Sequence, residues 1–261
     1  MEYGNLTEFA KTKVLEVQNY TMFVAQSISN MFRQPRYVSD TVYQADLIGV
    51  GSLPIVVLVG IAMGAELALN SAKTLQRFGG LALIGELVSE GMIRELGPVI
   101  TALMVTGRNC SGMASELGSM AVTEQIDAMR ALGTDPMKKL VTPRVAATVF
   151  MLFQLTIISD LFGLFGGSLI TTFLYPMNWH EYWSSAWQIL DYQDVFMGLV
   201  KPILFGFILA TVGCFYGINT RGGTQGVGRS TTEAVVTSSV LIILMDLIVT
   251  KFLMNIWGYQ A

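Results

Sequence analysis

Five long apolar stretches constrain this sequence more than any other feature does. They lie at about 46–69, 92–118, 145–175, 195–219 and 234–257. Each supplies the ~20 mostly apolar residues that a helix needs to cross a bilayer. Only 13% of the residues are charged, against about a quarter in soluble domains. The sequence therefore predicts an all-α polytopic membrane protein with five transmembrane helices, in which residues 1–261 form a single domain.

The segment 6–32, before the first apolar stretch, has a different pattern. Its apolar residues recur every three or four positions, and most of its charged residues fall on other faces of a helical wheel. The recurring positions are Ala10, Val14, Val17, Thr21, Val24, Ile28 and Met31. This spacing predicts an amphipathic helix that lies in the membrane interface. A helix packed on another subunit is the alternative.

The distribution of lysine and arginine predicts the orientation in the membrane, because cytoplasmic segments carry an excess of both. With the N-terminus in the cytoplasm, ten of the 16 basic residues lie on the cytoplasmic side: Lys11, Lys13, Arg33, Arg36, Arg130, Lys138, Lys139, Arg144, Arg221 and Arg229. The loop 174–194 has neither lysine nor arginine, and its tryptophans and tyrosines suit an outer interfacial belt. Five spans then place the C-terminus outside.

The stretch Gly-Thr-Gln-Gly-Val-Gly-Arg-Ser at 223–230 is one residue away from a nucleotide-binding P-loop, with Arg229 where the lysine belongs. A working P-loop follows a buried strand, and its lysine reaches the phosphates. Here a membrane span precedes the stretch. We therefore expect a glycine-rich cytoplasmic turn, with Ser230 and Glu233 at capping-box spacing to start the fifth helix. The chain is not predicted to be an ATPase.

Other site chemistries have little support in the sequence. The two cysteines, Cys110 and Cys214, lie in apolar runs and lack metal-ligand spacing. A single histidine, His180, makes imidazole catalysis improbable. The net charge of -3 does not indicate a nucleic-acid partner. We expect no catalytic residues, metal or cofactor.

Several charged residues fall inside or at the ends of the spans, where charge is expensive and faces a cavity, a partner charge or the protein interior. Arg94 and Glu95 stand at the outer end of the second span. Since adjacent helical residues face different directions, we expect them to have separate partners. Arg108 lies deeper, with Asp160 and Asp246 as its candidate partners in the third and fifth spans.

Small residues recur at a spacing of four along several spans. They are Gly107, Ser111, Ser115 and Ser119 in the second span, and the pairs Gly60/Gly64, Gly163/Gly167 and Gly213/Gly217 in others. This spacing lets helix backbones approach closely in lipid. It predicts a tightly packed bundle and carries no information about a substrate.

The polar segment 119–144 joins the second and third spans. Within it, the residues from Glu124 to Leu132 are predicted to form a short helix that ends at Gly133, with Pro136 just beyond. Taken alone, this is a polar cytoplasmic loop that contains a helix.

Two motifs carry a family resemblance that covers most of the chain. The run "RELGPVITALMVTGRNCSGMASELGSMAVTEQIDAMRALGTDP" and the run "YGINTRGGTQGVGRSTTEAVVTSSV" closely resemble the MlaE/YrbE permeases, which work with MCE proteins in lipid transport. The resemblance implies a non-catalytic permease subunit of an ABC-type lipid transporter in the bacterial inner membrane. Its expected function is to move phospholipid between that membrane and an MCE partner, which maintains outer-membrane lipid composition.

The resemblance also implies partners and site residues. A second copy of the chain would enclose an outward-facing lipid cavity, with an MCE-domain protein outside and a separate ABC ATPase subunit in the cytoplasm. Lipid binding maps onto Arg94, Glu95, Phe78 and Leu75. Coupling to the ATPase maps onto Glu124, Asp127, Arg130, Gly133 and Asp135.

Two other classes of function remain open from the residues. One is a membrane scaffold or assembly subunit whose buried charges are purely structural. The other is a secondary transporter that uses Asp160 and Asp246 as coupling carboxylates, although the paired inverted repeats of such proteins are not evident.

Overall fold

The computed structural model describes residues 2–35 and 37–257, and these residues fold into helices. The α-helices are α1 Glu2–Met31, α2 Val38–Arg77, α3 Ile84–Gly91, α4 Gly97–Val105, α5 Ser111–Val122, α6 Gln125–Ala131, α7 Thr142–Leu174, α8 Trp179–Gln188, α9 Tyr192–Ile218 and α10 Gly223–Ile256. Arg36, which entered the orientation argument, lies outside the described residues, as do the side chains of Ala10 and Lys13.

Four helices in the described part of the chain are long and apolar enough to cross a membrane: Val38–Arg77, Met137–Leu174, Tyr192–Ile218 and Gly223–Ile256. They contain the first, third, fourth and fifth predicted stretches. The remaining stretch, 92–118, is helical but broken by π-helical turns at Met92–Leu96 and Thr106–Cys110. The first turn separates α3 from α4, and the second separates α4 from α5, which at 12 residues is the longest of the three helices.

Helix α1 packs against α9 through one face and leaves apolar side chains on another. The hydroxyl oxygens of Tyr20 and Thr211 lie 2.9 Å apart, and Tyr20 and Phe23 contact the Phe215 ring edge to face. Val14 and Val17, on the predicted apolar face, are both 66% exposed. The amphipathic pattern therefore leaves apolar surface that no other part of the described chain covers.

Glycines allow α2 and α7 to pack backbone against backbone. A Cβ added to Gly60 would lie 2.8 Å from the Ser159 carbonyl oxygen, and one added to Gly64 would meet the Gly163 carbonyl at less than 3.0 Å. Gly217 packs equally closely on α5, with Leu117 Cβ at 2.7 Å from a built Cβ. Close helix approach at the predicted glycine pairs is thus present in the fold.

The line of small residues on the second predicted span behaves differently. A Cβ built on Gly107 has no heavy atom within 4 Å, and Ser115 and Ser119 are exposed. The prediction that this line packs within the bundle is wrong for a single chain. The spacing of residues predicts which of them share one face of a helix, but it does not predict which part of the structure packs against that face.

Helix α8 carries the tryptophans of the predicted outer belt. Its buried face packs on α3 and α7, where the Tyr182 hydroxyl donates to the Leu164 carbonyl at 3.1 Å. Trp179 and Trp187 are 45% and 56% exposed, and the Trp183 and Trp187 rings stack at 6.3 Å. The helix therefore presents an aromatic surface at the same end of the molecule as α3.

Candidate functional site

The centre of the candidate site is a π-helical turn that presents two adjacent charges. Arg94 and Glu95 lie in the turn Met92–Leu96, immediately before Gly97 and Pro98 at the start of α4. Proline has no backbone N–H, so Pro98 cannot donate the α-helical hydrogen bond to the Arg94 carbonyl. The turn therefore leaves a main-chain oxygen in need of another donor.

Lys201 of α9 supplies that donor from a fully buried position. Its side chain is 0% exposed, and Nζ donates to the Arg94 carbonyl at 2.7 Å and to Glu95 Oε2 at 2.7 Å. Asp246 of α10 forms an ion pair with the same nitrogen, with Oδ1 at 2.9 Å. The angles at this contact are not those of a hydrogen bond. One buried ammonium group thereby joins the π-helical turn before α4 to α9 and α10.

Arg94 points to different partners. Its Nε donates to Asp194 Oδ1 at 2.7 Å, and its guanidinium also pairs with Glu90 one turn earlier. Asp194 is fixed in turn, because its Oδ2 accepts the Asp191 N–H at 3.0 Å in a capping box at the start of α9. Arg94 and Glu95 thus have separate partners, as the sequence predicts.

We call six side chains the outer charge cluster, after the side of the membrane on which the sequence predicts them: Glu90, Arg94, Glu95, Asp194, Lys201 and Asp246. The two cations occupy the centre, and the four carboxylates surround them. A cleft of about 390 Å³ opens beside the cluster, lined by Glu95, Asp246, Leu247, Thr250, Lys251 and Met254. Its lining combines charged and polar side chains with the apolar Leu247 and Met254, which suits a ligand that has both kinds of surface.

The other two predicted lipid-binding residues lie outside this cluster. Phe78 follows α2 and is 83% exposed. Leu75 is partly buried and packs with Ile84 and Tyr182 in a separate apolar cluster. The structure therefore brings Arg94 and Glu95 together, but does not join Phe78 or Leu75 to their hydrogen-bond network.

Arg108 pairs with neither Asp160 nor Asp246, the two partners that the sequence predicts. The guanidinium donates to the Gly51 carbonyl of α2, and Asp246 is held by Lys201 instead. Asp160 packs against the Gly97 backbone, and its buried Oδ1 has no hydrogen-bond partner among the described residues. Asp160 lies beside Gly97, and Asp246 shares Lys201 with Glu95. Both carboxylates are therefore roughly 16–20 Å from Arg108 along the helical run at 1.5 Å per residue, so the predicted pairing placed them at the wrong depth.

The predicted coupling residues surround a short helix at the opposite end of the bundle. Helix α6 spans Gln125–Ala131, slightly shorter than predicted, and Glu124 precedes it with a left-handed φ of 59°. Gly133 follows with a φ of 78°, and its N–H donates to the Arg130 carbonyl at 3.0 Å. The predicted glycine C-cap is confirmed.

The surface of α6 is exposed and carries both signs of charge. Arg130 donates to Asp127 at 2.8 Å, and Asp135 accepts the Met137 N–H at 2.9 Å, which fixes the chain after the turn. Leu132 is 83% exposed at the tip between them. This arrangement presents one large apolar side chain in a polar surround, as protein-binding surfaces commonly do.

The near P-loop is part of a helix. Helix α10 begins at Gly223 after a left-handed Gly222, so the stretch 223–230 forms its first two turns. Ser230 is therefore not the helix cap, and the predicted start of the helix near residue 230 is wrong. Arg229 donates to Glu233 at 2.7 Å one turn on. Helical backbone N–H groups beyond the first turn are engaged with carbonyls and cannot cradle phosphates.

Sequence reasoning missed four residues that matter here: Glu90, Asp194, Lys201 and Leu132. Lys201 carried a usable signal, because it is a lysine within the apolar run of the fourth span and membrane-depth charge indicates a site. Asp194 and Glu90 carried none beyond their charge. Leu132 could have been recognised as an apolar residue next to the glycine cap of a polar loop.

Comparison with known proteins adds an independent line of evidence. The family model described as Permease MlaE matches residues 41–252. A probable ABC transporter permease protein of Rickettsia felis is 39% identical over 240 residues, which cover 92% of this chain and 93% of that protein. The intermembrane phospholipid transport system permease protein MlaE of Haemophilus influenzae is 30% identical over 213 residues, covering 81% and 82%. The chloroplastic protein TRIGALACTOSYLDIACYLGLYCEROL 1 of Arabidopsis thaliana is 35% identical over 213 residues, covering 82% and 61%.

Proposed function

The chain belongs to the MlaE permease family, and from that premise we propose how it works as the membrane subunit of a lipid-transporting ABC system. Its activity is to move phospholipid between the inner membrane and an MCE-domain partner, which maintains the lipid composition of the outer membrane. The observation that carries the proposal is the outer charge cluster, where three helices converge on a buried ammonium beside an open amphipathic cleft.

The proposed topology has five spans. The helical run 84–122 would be the additional one, since its length at about 1.5 Å per residue exceeds the ~30 Å hydrocarbon core. Helix α1 lies in the interface, with the N-terminus and α6 in the cytoplasm and the C-terminus in the periplasm. The charge distribution of the loops supports this orientation, and the exposed tryptophans of α8 fit the outer surface.

Lipid headgroups meet the outer charge cluster in this proposal. Glu95 is the accessible carboxylate of the cleft, with a side chain 41% exposed, and can accept from an ammonium headgroup. Arg94 can hold a phosphate by exchanging Glu90 for it, because a guanidinium donates to two phosphate oxygens at once. Phe78 and Leu75 would contact acyl chains nearer the outer surface.

A second copy of the chain completes the cavity. One helix face carries small residues at a spacing of four: Gly107, Ser111, Ser115 and Ser119. Within the described chain, a Cβ built on Gly107 meets no other atom within 4 Å. Small residues of this kind let two helices approach closely in lipid. Pairing of two such faces would place the two outer charge clusters on either side of a shared chamber.

Energy comes from a separate ATPase that binds the α6 loop. Glu124, Asp127, Arg130, Gly133 and Asp135 form the contact surface, with Leu132 as its apolar anchor. ATP binding and hydrolysis in that partner would shift the dimer between open and collapsed cavities.

Charge reversal in the loop tests the proposal. In the combined variant Glu124→Lys with Asp127→Lys, the amount of ATPase that co-purifies with the chain from its own cells should fall by about tenfold or more. The reversal turns attraction between these carboxylates and cations of the ATPase into repulsion. Quantitative mass spectrometry of the purified complex measures this. Glu181→Lys, an exposed acid on α8, is the matched control and should retain the ATPase.

Retention of the ATPase by both variants would contradict the assigned coupling surface. A preparation of the unaltered chain that carries neither ATPase nor phospholipid would indicate the scaffold function instead.

A further inference from the structure

A second cavity lies at the opposite end of the bundle from the outer charge cluster. It is a groove of about 1470 Å³ between α1, the last turns of α9, the start of α10 and the segment after α6. Pockets for drug-sized ligands measure about 300–1,000 Å³. The groove is therefore large enough for a ligand with long chains.

The groove and the outer charge cluster face different leaflets. Lys201 belongs to the cluster and Ile218 lines the groove, and both lie on α9. They are separated by roughly 25 Å of helix at 1.5 Å per residue, close to the ~30 Å thickness of the hydrocarbon core. A ligand in the groove is thus distinct from one at the cluster.

The walls of the groove change from apolar to polar along its length. Val17, Phe23, Val212, Phe215 and Leu241 supply apolar surface, and the remaining lining includes three arginines and three carboxylates. The charged lining residues are Glu16, Arg130, Asp135, Arg221, Arg229 and Glu233. This gradient from an apolar trough to a balanced set of charges matches a zwitterionic phospholipid, whose headgroup carries one phosphate and one ammonium.

Arg221 is the arginine placed to take the phosphate. Arg130 is paired with Asp127 and Arg229 with Glu233. Among the described residues, no carboxylate pairs with Arg221, which is exposed at the end of α9. A guanidinium can hold two phosphate oxygens at once. The Asp135 carboxylate, on the same lining, can accept from the ammonium group.

We propose that this groove binds a zwitterionic phospholipid, with its phosphate on Arg221 and its acyl chains between α1, α9 and α10. The bound lipid fills the space between α1 and the bundle and holds the exposed apolar face of α1 at the membrane surface. Its assignment to the cytoplasmic leaflet rests on the proposed topology, whereas the binding itself does not.

Photo-crosslinking tests the site directly. The full chain is placed in nanodiscs that contain phosphatidylethanolamine with a diazirine in one acyl chain, and labelled peptides are mapped by mass spectrometry after illumination. Labels should concentrate on 16–26, 212–221 and 237–241, above the level on the exposed apolar residues Leu247 and Phe252 of α10.

Variants then assign the phosphate contact. Arg221→Glu should lower groove labelling by about threefold or more, since it replaces an attractive charge by a repulsive one, and Arg221→Lys should retain most of it. Arg33→Glu, an exposed cation at the same end that does not line the groove, should leave labelling unchanged. Labelling at Leu247 and Phe252 serves as the internal standard in every variant.

Three outcomes would overturn the proposal. Uniform labelling of all exposed apolar surface in the unaltered chain would mean ordinary boundary lipid. Equal groove labelling in Arg221→Glu and Arg33→Glu would remove the phosphate contact. Absence of lipid adducts from the groove peptides of the unaltered chain would mean that lipid does not fill the groove. None of these outcomes depends on the ATPase, so they leave the proposed transport function to its own tests.

Discussion

Replacement of Lys201 by methionine is expected to destabilise the chain more than any other single substitution of a charged residue. The change removes one ammonium from three acceptors: the Arg94 carbonyl, Glu95 and Asp246. Removing one partner of a buried ion pair costs about 3–5 kcal/mol, because an uncompensated charge is left in the interior. The effect is measured as the melting temperature in detergent, which is determined from the loss of monodisperse protein on size-exclusion chromatography after heating.

Two further variants separate charge from packing at this position. Lys73→Met, which removes an exposed lysine on α2, should leave the melting temperature unchanged. Adding Glu95→Gln and Asp246→Asn to Lys201→Met should recover part of the lost stability, because neutral groups need no counter-charge. A Lys201→Met protein as stable as the unaltered chain would show that the cluster does not hold the three helices together.

The substitution Gly64→Ala is expected to have the second largest effect. The added methyl would meet the Gly163 carbonyl oxygen at less than 3.0 Å, and a backbone atom of α7 cannot rotate away as a side chain can. Overpacking of this kind costs about 1–3 kcal/mol and occasionally more, which corresponds to a fall in melting temperature of roughly 2–12 °C for a chain of this size.

Gly107→Ala is the matched control for Gly64→Ala. A Cβ at Gly107 has no neighbour within 4 Å, so the isolated chain should melt at its original temperature or a few degrees above it, because alanine favours a helix over glycine by up to about 1 kcal/mol. In the assembled dimer, Gly107→Ala should weaken association if the small-residue line pairs with a second copy. A Gly64→Ala chain with unchanged melting would contradict the close approach of α2 and α7.

The sequence predicted correctly those features that depend on residues close together along the chain. Hydropathy over long windows located the four spans found, and the conformational freedom of glycine placed the turn at Gly133, because both depend on neighbours along the chain. The small-residue spacing predicted close contact at Gly60 and Gly64. The same spacing predicted packing within the bundle for Gly107, where the described chain has no neighbour, since spacing does not report which way a helix face points.

The candidate site was only half accessible to such reasoning. The charges of Arg94 and Glu95 were visible, and their adjacency required separate partners. The missing N–H of Pro98 is evident from the sequence, and Lys201 stands out as a lysine in an apolar run. The π-helical turn was not predictable, and without it the contact between Lys201 and the Arg94 carbonyl does not follow. Asp160 and Asp246 were predicted as partners of Arg108 because they are buried charges, but they lie near Gly97 and Glu95 at another depth. The group that Arg108 does contact is the carbonyl of Gly51, an uncharged residue that gives no signal in the sequence.

Transport of labelled phospholipid by a reconstituted system tests the central claim most directly. Proteoliposomes that contain the chain and its co-purified ATPase are given fluorescent phosphatidylethanolamine and the MCE-domain partner, and lipid transferred to or from that partner is measured with and without ATP. The account predicts ATP-dependent transfer that is abolished when Glu124 and Asp127 are both reversed to lysine. Transfer that proceeds at the same rate without ATP, or without this chain in the membrane, would contradict it.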